Sequence, residues 1–298
     1  MLSRSDNPKL AVSIILVVVL CLALGDALVK EVSSSLAIWQ IFVLRSLLAL
    51  AVLLAVLRCG FPSLSLRPRR LGWTMARSAM LVLMWIAYYA SLPHLQLSVA
   101  AAAYYTSPLF IVLFSAALGG ERVSRFGCFA VFLGFGGTIL ILRPTAGAFN
   151  AYALLPLLSA ILYALAMTLT RTKCRHEHPL ILSAALNVTF VAVGLIATAA
   201  IGLLDGTPSP FLSATWAPLG ARDILAVLFL TGAILVASVG AAMAYQIGRP
   251  PLVATFDFAY LAFAAVCGFL FFGEVPGPSV LAGMLAIAAA GAIALNRS

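Results

Sequence analysis

The sequence predicts an all-α integral membrane protein. Hydrophobic residues make up 63% of the 298-residue chain and charged residues only 9%, with a mean hydropathy of +1.12. A water-soluble domain of this length would need far more polar surface to cover its core. Apolar runs of about 20 residues, enough for a helix to cross ~30 Å of hydrocarbon, recur along the chain. The ten-residue alternation of polar and apolar residues typical of a transmembrane β-barrel does not occur.

Clusters of glycine, proline or charge divide the chain into ten predicted helices. With the N-terminus in the cytoplasm, 13 Lys and Arg residues fall on the cytoplasmic side and three on the opposite side. Cytoplasmic loops typically carry such an excess, so we expect both termini to be cytoplasmic. The predicted spans are residues 10–30, 36–57, 71–92, 97–118, 125–142, 151–171, 180–203, 223–245, 252–272 and 279–296.

The net charge of +9 does not indicate a nucleic-acid partner, because the basic residues lie between hydrophobic spans rather than on one soluble face. The five cysteines stand apart in the sequence, without a CxxC or disulfide spacing. The segment "CRHEH" from Cys174 to His178 has side chains that can bind metal, but no complementary cluster occurs elsewhere. We therefore expect neither a metal site nor a cofactor.

Two similar junctions indicate that the chain consists of two related halves. An apolar run ends in a Gly-Glu pair at Glu121 in "FSAALGGERVS" and again at Glu274 in "CGFLFFGEVPGPS". Aligning the two glutamates gives an offset of 153 residues. Each half holds five predicted helices, an odd number, so the second half must lie inverted in the membrane. The sequence therefore predicts two inverted repeats, at residues 1–148 and 149–298.

The loops around these junctions also reverse in charge, as an inverted repeat requires. The segment "GGERVSR" is basic, whereas "GEVPGP" contains no Lys or Arg. Glu121 and Glu274 lie at span boundaries, close to the start of the next helix, where a negative charge is stabilised by the helix dipole. They are predicted to be helix-boundary residues, with proton coupling as the alternative.

Two five-helix halves, with the Gly-Glu junction after helices 4 and 9, resemble the drug/metabolite transporter superfamily and its EamA-type repeat. A family proline matches Pro108, whereas Leu261 stands at the corresponding position of the second half. In length and helix pattern the chain is similar to bacterial exporters of aromatic amino acids of the YddG type. The resemblance implies a bacterial-type inner (plasma) membrane and alternating access by two pseudo-symmetric bundles, with helices 1, 3, 4, 6, 8 and 9 around a central cavity.

Charged residues inside the predicted spans are candidates for function. An ionised side chain at the bilayer centre costs ~2.5–3.5 kcal/mol, so it normally faces a cavity or a partner. We expect Asp257 in helix 9 to contact substrate or to pair with Arg77, which lies at similar depth in helix 3; a purely structural ion pair is the alternative. Asp26 lies near the outer end of helix 1. Arg45 in helix 2 is predicted to bond to nearby backbone or to polar groups of helix 3.

Aromatic residues at middle depth form the second set of candidates. Rings with one polar tip could stack on a planar substrate and hydrogen-bond to its ends. Tyr104 and Tyr105 lie about 100° apart on a helix, so we expect only one of them to face the cavity. Lipid-facing packing or an interfacial belt is the alternative. The predicted substrate-binding residues are Trp85, Tyr88, Tyr104, Tyr105, Ser107, Tyr163, Asp257 and Tyr260.

These features favour a secondary transporter. The sequence has no P-loop, HExxH or Gly-x-Ser-x-Gly motif, so a membrane enzyme is the less favoured class, together with a scaffold subunit. The resemblance implies export of amino acids, preferably aromatic or hydrophobic, or of similar small metabolites, and Asp257, Arg77 and the rings could hold both ends of a zwitterion. A proton-coupled exporter of organic cations that uses Asp257 is the alternative. The expected partners are a small-molecule substrate and the lipid bilayer, and the expected state is a monomer.

Overall fold

The computed structural model describes residues 7–32, 36–61, 65–91, 103–118, 124–142, 152, 154–203, 216–273 and 277–296. Glu121 and Glu274, the predicted helix-boundary residues, lie outside the described residues. The described part is helical, with α1 (Pro8–Val32), α2 (Ile38–Gly60), α3 (Leu71–Ser91), α4 (Ser107–Ala117), α5 (Arg125–Leu142), α6 (Leu154–Thr172), α7 (Pro179–Leu203), α8 (Ala221–Ile247), α9 (Pro250–Asp257), α10 (Ala259–Phe272) and α11 (Pro278–Asn296).

Proline marks the beginning of five of these helices. A proline in the first turn lacks an N–H that would have no intrahelical partner there, and its fixed φ suits the helix. The residues concerned are Pro8, Pro108, Pro179, Pro250 and Pro278. The same residue type that interrupts the apolar runs in the sequence therefore also starts the next helix.

Eight of the ten predicted spans correspond to single helices whose ends agree within three residues. The other two are interrupted. In the predicted fourth span, a turn at Tyr105 and Thr106 precedes α4, and the Thr106 hydroxyl donates to the Ala103 carbonyl at 2.6 Å. The predicted ninth span is divided at Phe258 into α9 and α10. The 153-residue offset between the Gly-Glu junctions also aligns Tyr105 with Phe258, so the two interruptions occur at matching positions.

Seven segments of the described chain are long and apolar enough to cross a membrane, with α9 and α10 together forming one of them. Three further apolar helices are shorter, at Ser107–Ala117, Arg125–Leu140 and Pro278–Ile293. Large apolar side chains cover the outer surface, including Leu285, which is 72% exposed, and Ile196, which is 69% exposed. Such a surface suits hydrocarbon rather than water, so this is an all-helical integral membrane protein.

The helices of the first half pack mainly against helices of the second half. The most extensive contacts are α5 with α11, α1 with α8, α3 with α6 and α2 with α7. If the two halves are equivalent, α1 corresponds to α6 and α3 to α8, and each contact should have a counterpart in which the two halves are exchanged. The α1–α8 contact has its counterpart in α6–α3. In the same way, α1–α10 corresponds to α6–α4, and α3–α7 corresponds to α8–α2. The packing therefore has the pattern that a two-fold relation between the halves requires.

Glycine allows α5 and α11 to approach each other closely. A Cβ added to Gly137 would lie 2.8 Å from the Gly283 carbonyl oxygen and 3.0 Å from a carbon of Ile287. Small residues at such crossings let helix backbones come into direct contact in the membrane. The α5–α11 contact thus depends on a position with no side chain.

Candidate functional site

The two interrupted helices meet at a group of aromatic rings. Tyr105, in the turn before α4, stacks on Tyr260 at the start of α10, with ring centroids 5.5 Å apart and an interplanar angle of 27°. Tyr104 lies 5.3 Å from Tyr88 of α3 and 6.1 Å from Tyr163 of α6. We call Tyr88, Tyr104, Tyr105, Tyr163 and Tyr260 the tyrosine cluster. Five predicted site residues, which come from four separate predicted spans, are thus neighbours in space.

Asp257 lies beside this cluster, at the last residue of α9. Its Oδ2 accepts a hydrogen bond from the Tyr245 hydroxyl at 2.5 Å and one from the Tyr163 hydroxyl at 3.2 Å. The side chain is buried, at 8% exposure. A carboxylate at the C-terminal end of a helix faces the negative end of the helix dipole, so these two phenol donors are what stabilise it there.

Asp26 of α1 lies at the other side of the cluster. Its Oδ2 accepts a hydrogen bond from the Tyr260 hydroxyl at 2.5 Å, and the side chain is half-buried. Because Tyr260 stacks on Tyr105 and Tyr105 contacts Tyr104, the rings connect Asp26 to the surroundings of Asp257. The arrangement is a row of phenols with one carboxylate at each end.

A recess opens between α1, α2, α3 and α8 next to Asp26. The recess is narrow, with a cavity volume of about 20 Å³, and part of it is open to the surroundings. Trp85 and Tyr89 form one aromatic wall, with ring centroids 5.3 Å apart and an interplanar angle of 22°. Its lining residues are Cys21, Leu22, Gly25, Asp26, Arg45, Trp85, Tyr89, Leu230, Ala233 and Ile234.

Arg45, one of these lining residues, has a buried guanidinium group. The Arg45 Cζ lies 4.8 Å from the Phe42 ring centroid and 4.9 Å from that of Phe190, and the side chain is 7% exposed. Cation–π contact of this type is attractive when the cation is desolvated. Within the described residues, neither Nε nor Nη2 of Arg45 has a hydrogen-bond partner. The backbone or helix 3 acceptors predicted from the sequence therefore do not bind these two nitrogens.

Arg77 does not pair with Asp257 in the part of the chain that the structure describes. Arg77 is 1% exposed, and its Nε donates to the Thr170 hydroxyl of α6 at 2.6 Å. Ser107, another predicted site residue, is buried in the first turn of α4, at 3% exposure. The structure thus separates Arg77 from the Asp257 carboxylate while it gathers the aromatic residues.

Two residues of this region were not identified from the sequence. Tyr245 lies near the end of α8, where a tyrosine is usual at a membrane interface, and its role follows only from its contact with Asp257. Phe190 is a phenylalanine in an apolar helix, so the sequence gives no sign that it covers Arg45.

Hydrogen bonds join the loops at one end of the bundle, which carries several basic residues. The Glu177 carboxylate accepts from the backbone N–H of Arg69 at 3.1 Å and of Arg70 at 2.7 Å. The Gln246 side chain donates to the carbonyls of Cys174 and Glu177, at 2.7 and 2.8 Å. We call these five residues the basic-face clasp; it connects the loops that follow α2 and α6 with the end of α8.

A second contact joins the elements at the opposite end. Gln40, in the first turn of α2, donates to the Ala217 carbonyl at 2.8 Å and accepts from the Ala217 N–H at 2.9 Å. Gln40 is 2% exposed. This opposite-face clasp connects the start of α2 with the segment that leads into α8.

The comparisons with known proteins agree with this architecture. The family model described as EamA-like transporter family matches residues 9–143. A riboflavin transporter of Brucella anthropi is 30% identical over 244 residues, which are 80% of each protein. The chain belongs to the EamA-like transporter family. This family is part of the drug/metabolite transporter superfamily, so the resemblance predicted from the sequence is confirmed.

Other relatives of this EamA-like transporter cover nearly its whole length. The pseudopaline exporter CntI of Pseudomonas aeruginosa is 28% identical over 278 residues, which are 92% of this chain and 91% of that protein. One crystal structure superposes with a TM-score of 0.77 over 96% of each chain at 20% identity, and thus has the same fold. The protein is accordingly a multi-pass transporter of the bacterial inner membrane, with a small molecule as substrate.

Proposed function

We propose that this EamA-like protein is a secondary transporter that exports small metabolites with an aromatic ring, preferably aromatic amino acids. The observation that carries the proposal is the tyrosine cluster between Asp26 and Asp257, at the place where two interrupted helices meet. Membrane carriers place substrate sites at such interruptions, because the freed backbone groups need a cavity or a partner. A planar substrate could stack on these rings and hydrogen-bond to their hydroxyls.

Alternating access by two inverted repeats, residues 1–148 and 149–298, is the proposed mechanism. The matched packing of the helices and the matched interruptions at Tyr105 and Phe258 support it. In this mechanism ten membrane crossings place both termini in the cytoplasm, and a single protomer contains the whole pathway. The basic-face clasp then lies on the cytoplasmic side and the opposite-face clasp on the outer side.

The energy source in this proposal is a gradient of substrate or ions, because the sequence has no nucleotide-binding motif. Asp257 is the proposed coupling residue. A buried carboxylate whose partners among the described residues are neutral phenols can change its protonation state when the surrounding helices move.

Counterflow of labelled amino acids in proteoliposomes tests the proposal. Vesicles are loaded with unlabelled phenylalanine, and uptake of labelled phenylalanine, tryptophan or threonine is followed with and without a proton gradient, against protein-free liposomes. We expect saturable counterflow of phenylalanine and tryptophan that exceeds that of threonine. Absence of saturable uptake for every amino acid would reject the proposal.

Two additional substrates separate the competing possibilities. Relatives of this chain are named as riboflavin transporters, so labelled riboflavin belongs in the same assay. Tetraphenylphosphonium tests the export of organic cations. Uptake of the cation in exchange for protons, without uptake of any amino acid, would favour a multidrug exporter that uses the two carboxylates.

A further inference from the structure

Arg45 lines the recess, and two nitrogens of its buried guanidinium group have no hydrogen-bonding partner among the described residues. A buried charge normally has both a counter-ion and hydrogen bonds, because removing it from water without them is costly. The acid in the same recess, Asp26, is bonded to the Tyr260 hydroxyl, and no ion pair joins Asp26 to Arg45 within the described residues. Arg45 therefore has donors that the described part of the protein does not use.

The two open donors belong to one edge of the guanidinium plate. Nε and Nη2 carry parallel N–H bonds, and this edge matches the two oxygens of a carboxylate. Phe42 and Phe190 each lie within 5 Å of the Arg45 Cζ, and their ring centroids are 5.0 Å apart, so both rings lie on the same side of the guanidinium group. The edge with the two unused donors is therefore the part of the group that a carboxylate would satisfy. The two rings also restrict the motion of the side chain, so that less freedom is lost on binding.

The other residues that line the recess offer the groups that a molecule with a carboxylate, an ammonium group and a ring would contact. Trp85 and Tyr89 supply a stacked aromatic wall, and Asp26 supplies a negative group in the same space. The cavity volume is only about 20 Å³ in this state, so a ligand of that size enters when the surrounding helices separate. The sequence predicts Asp257 and Arg77, rather than Asp26 and Arg45, as the charged residues of the site.

We propose that Arg45 binds the carboxylate of the transported molecule edge-on, through Nε and Nη2, and that Asp26 receives its ammonium group. The substrate class is then the zwitterionic amino acid, with its side chain against Trp85 and Tyr89. This inference rests on the proposed transport function, because it assigns the substrate contacts of the same cavity system.

Binding to the purified protein in detergent tests the inference without transport. The probes are 3-phenylpropionate, phenethylamine, phenylalanine and phenylalaninamide, and the readout is the concentration that gives half of the maximal thermal stabilisation. For the wild type, we expect phenylalanine to bind at least about tenfold more tightly than phenylalaninamide, which lacks the carboxylate. Equal binding of the acid and the amide overturns the inference with no variant needed.

Substitution at Arg45 gives the second measurement. Arg45→Lys keeps a positive charge but lacks the two-donor edge, so we expect binding of 3-phenylpropionate and phenylalanine to weaken by about tenfold, with phenethylamine unchanged. Arg45→Met removes the charge and is expected to abolish binding of 3-phenylpropionate. Arg58→Lys, on the exposed end of the same helix α2, is the matched control and is expected to bind every probe as the wild type does.

The outcomes separate this inference from the proposed function. Counterflow of phenylalanine together with equal binding of phenylalanine and its amide would overturn the role of Arg45 alone. Binding of 3-phenylpropionate that depends on Arg45, without counterflow of any amino acid, would reject the proposed function and leave the carboxylate site standing. An Arg45→Lys protein that binds all four probes with wild-type affinity also overturns the inference.

Discussion

At the scale of single residues, Asp257 is a carboxylate whose described partners are two neutral hydroxyls. Tyr163 and Tyr245 come from α6 and α8, so the carboxylate connects three helices that belong to the second half. A residue that only stabilised the bundle would tolerate exchange for an isosteric amide, because the amide oxygen accepts the same hydrogen bonds. A residue that couples transport to protons would not.

Asp257→Asn is therefore expected to leave the fold intact and to slow counterflow by about tenfold or more, with loss of the dependence on a proton gradient. The measurement is counterflow in proteoliposomes at several pH values, after thermal unfolding in detergent has shown a stable protein. Asp223→Asn, in the first turn of α8, is the control and should transport as the wild type does. An Asp257→Asn protein with wild-type rates and wild-type pH dependence would reject the functional role.

The sequence identified the residue types of the site but not their partners. Their similar depth in the predicted spans was the reason to expect Asp257, Tyr104, Tyr163 and Tyr260 at one site, and the structure places these residues together. Depth says nothing about the direction in which a side chain points, and this is why Arg77, at the depth of Asp257, contacts Thr170 instead. The environment of Arg45 depends on Phe190, which is 145 residues away in the sequence and has no distinguishing pattern.

At the scale of helices, length and hydropathy predicted eight elements within three residues, because a membrane span has a fixed length and is bounded by breakers. The interruption before α4 has a local cause in Pro108, which lacks an N–H. The interruption at Phe258 has no glycine or proline beside it, so tertiary packing around the fully buried Phe258 ring has to supply the cause. A pattern of breakers cannot reveal an interruption of that kind.

The contact between α5 and α11 provides a prediction about stability. Gly137→Val places a side chain against the Gly283 carbonyl and is expected to destabilise the protein by about 1–3 kcal/mol, since overpacked helix contacts must separate. Thermal unfolding in detergent is the measurement. Gly136→Val is the matched control, because a Cβ at Gly136 meets nothing within 4 Å. Equal melting temperatures for the two variants would contradict the close contact between α5 and α11.

The basic-face clasp can be tested through its own cysteine. Burial raises the pKa of the Cys174 thiol, and the nearby charge of Arg77, which lowers it, does not offset this effect. The thiolate is the reactive form, so a raised pKa lowers the reactive fraction at neutral pH, and the rate of alkylation should keep rising with pH up to and beyond the ordinary value of 9.0.

Glu177→Ala removes the acceptor for the N–H groups of Arg69 and Arg70. We expect Cys174 to react with a maleimide about fivefold faster or more in this variant, because the loop loses its anchor and the thiol becomes exposed. Cys59 at the exposed end of α2 is the internal reference, and mass spectrometry of the peptides gives both rates. An unchanged ratio of Cys174 to Cys59 labelling would show that the clasp does not hold the loop closed.

At the scale of the whole molecule, the two clasps lie at opposite ends and join pseudo-equivalent elements. Glu177, which precedes α7, binds the loop that leads into α3. Gln40, in the first turn of α2, binds the segment that leads into α8. Alternating access requires that each end open in turn. Both clasps are formed in the same structure, so the elements are joined at both ends of the bundle.

Crosslinking either clasp is expected to stop transport. In a background without the five native cysteines, the pairs Gln40→Cys with Ala217→Cys and Arg70→Cys with Glu177→Cys are joined by a short thiol-reactive crosslinker. Each crosslinked protein should lose counterflow by about tenfold or more, because the joined end cannot open. The same variants without crosslinker serve as controls. Full transport with either end joined would argue against alternating access.

The interlocked packing of the two halves also governs how the protein is made. Because α1, α2 and α3 find their main partners in α8, α7 and α6, the first half cannot complete its tertiary structure alone. At ordinary translation speeds the second half follows only after roughly 10–30 s, so the early helices wait in the bilayer as separate inserted segments. Assembly is thus a late event, and the wild-type chain carries its apolar helix faces and its buried arginines through that interval without their final neighbours.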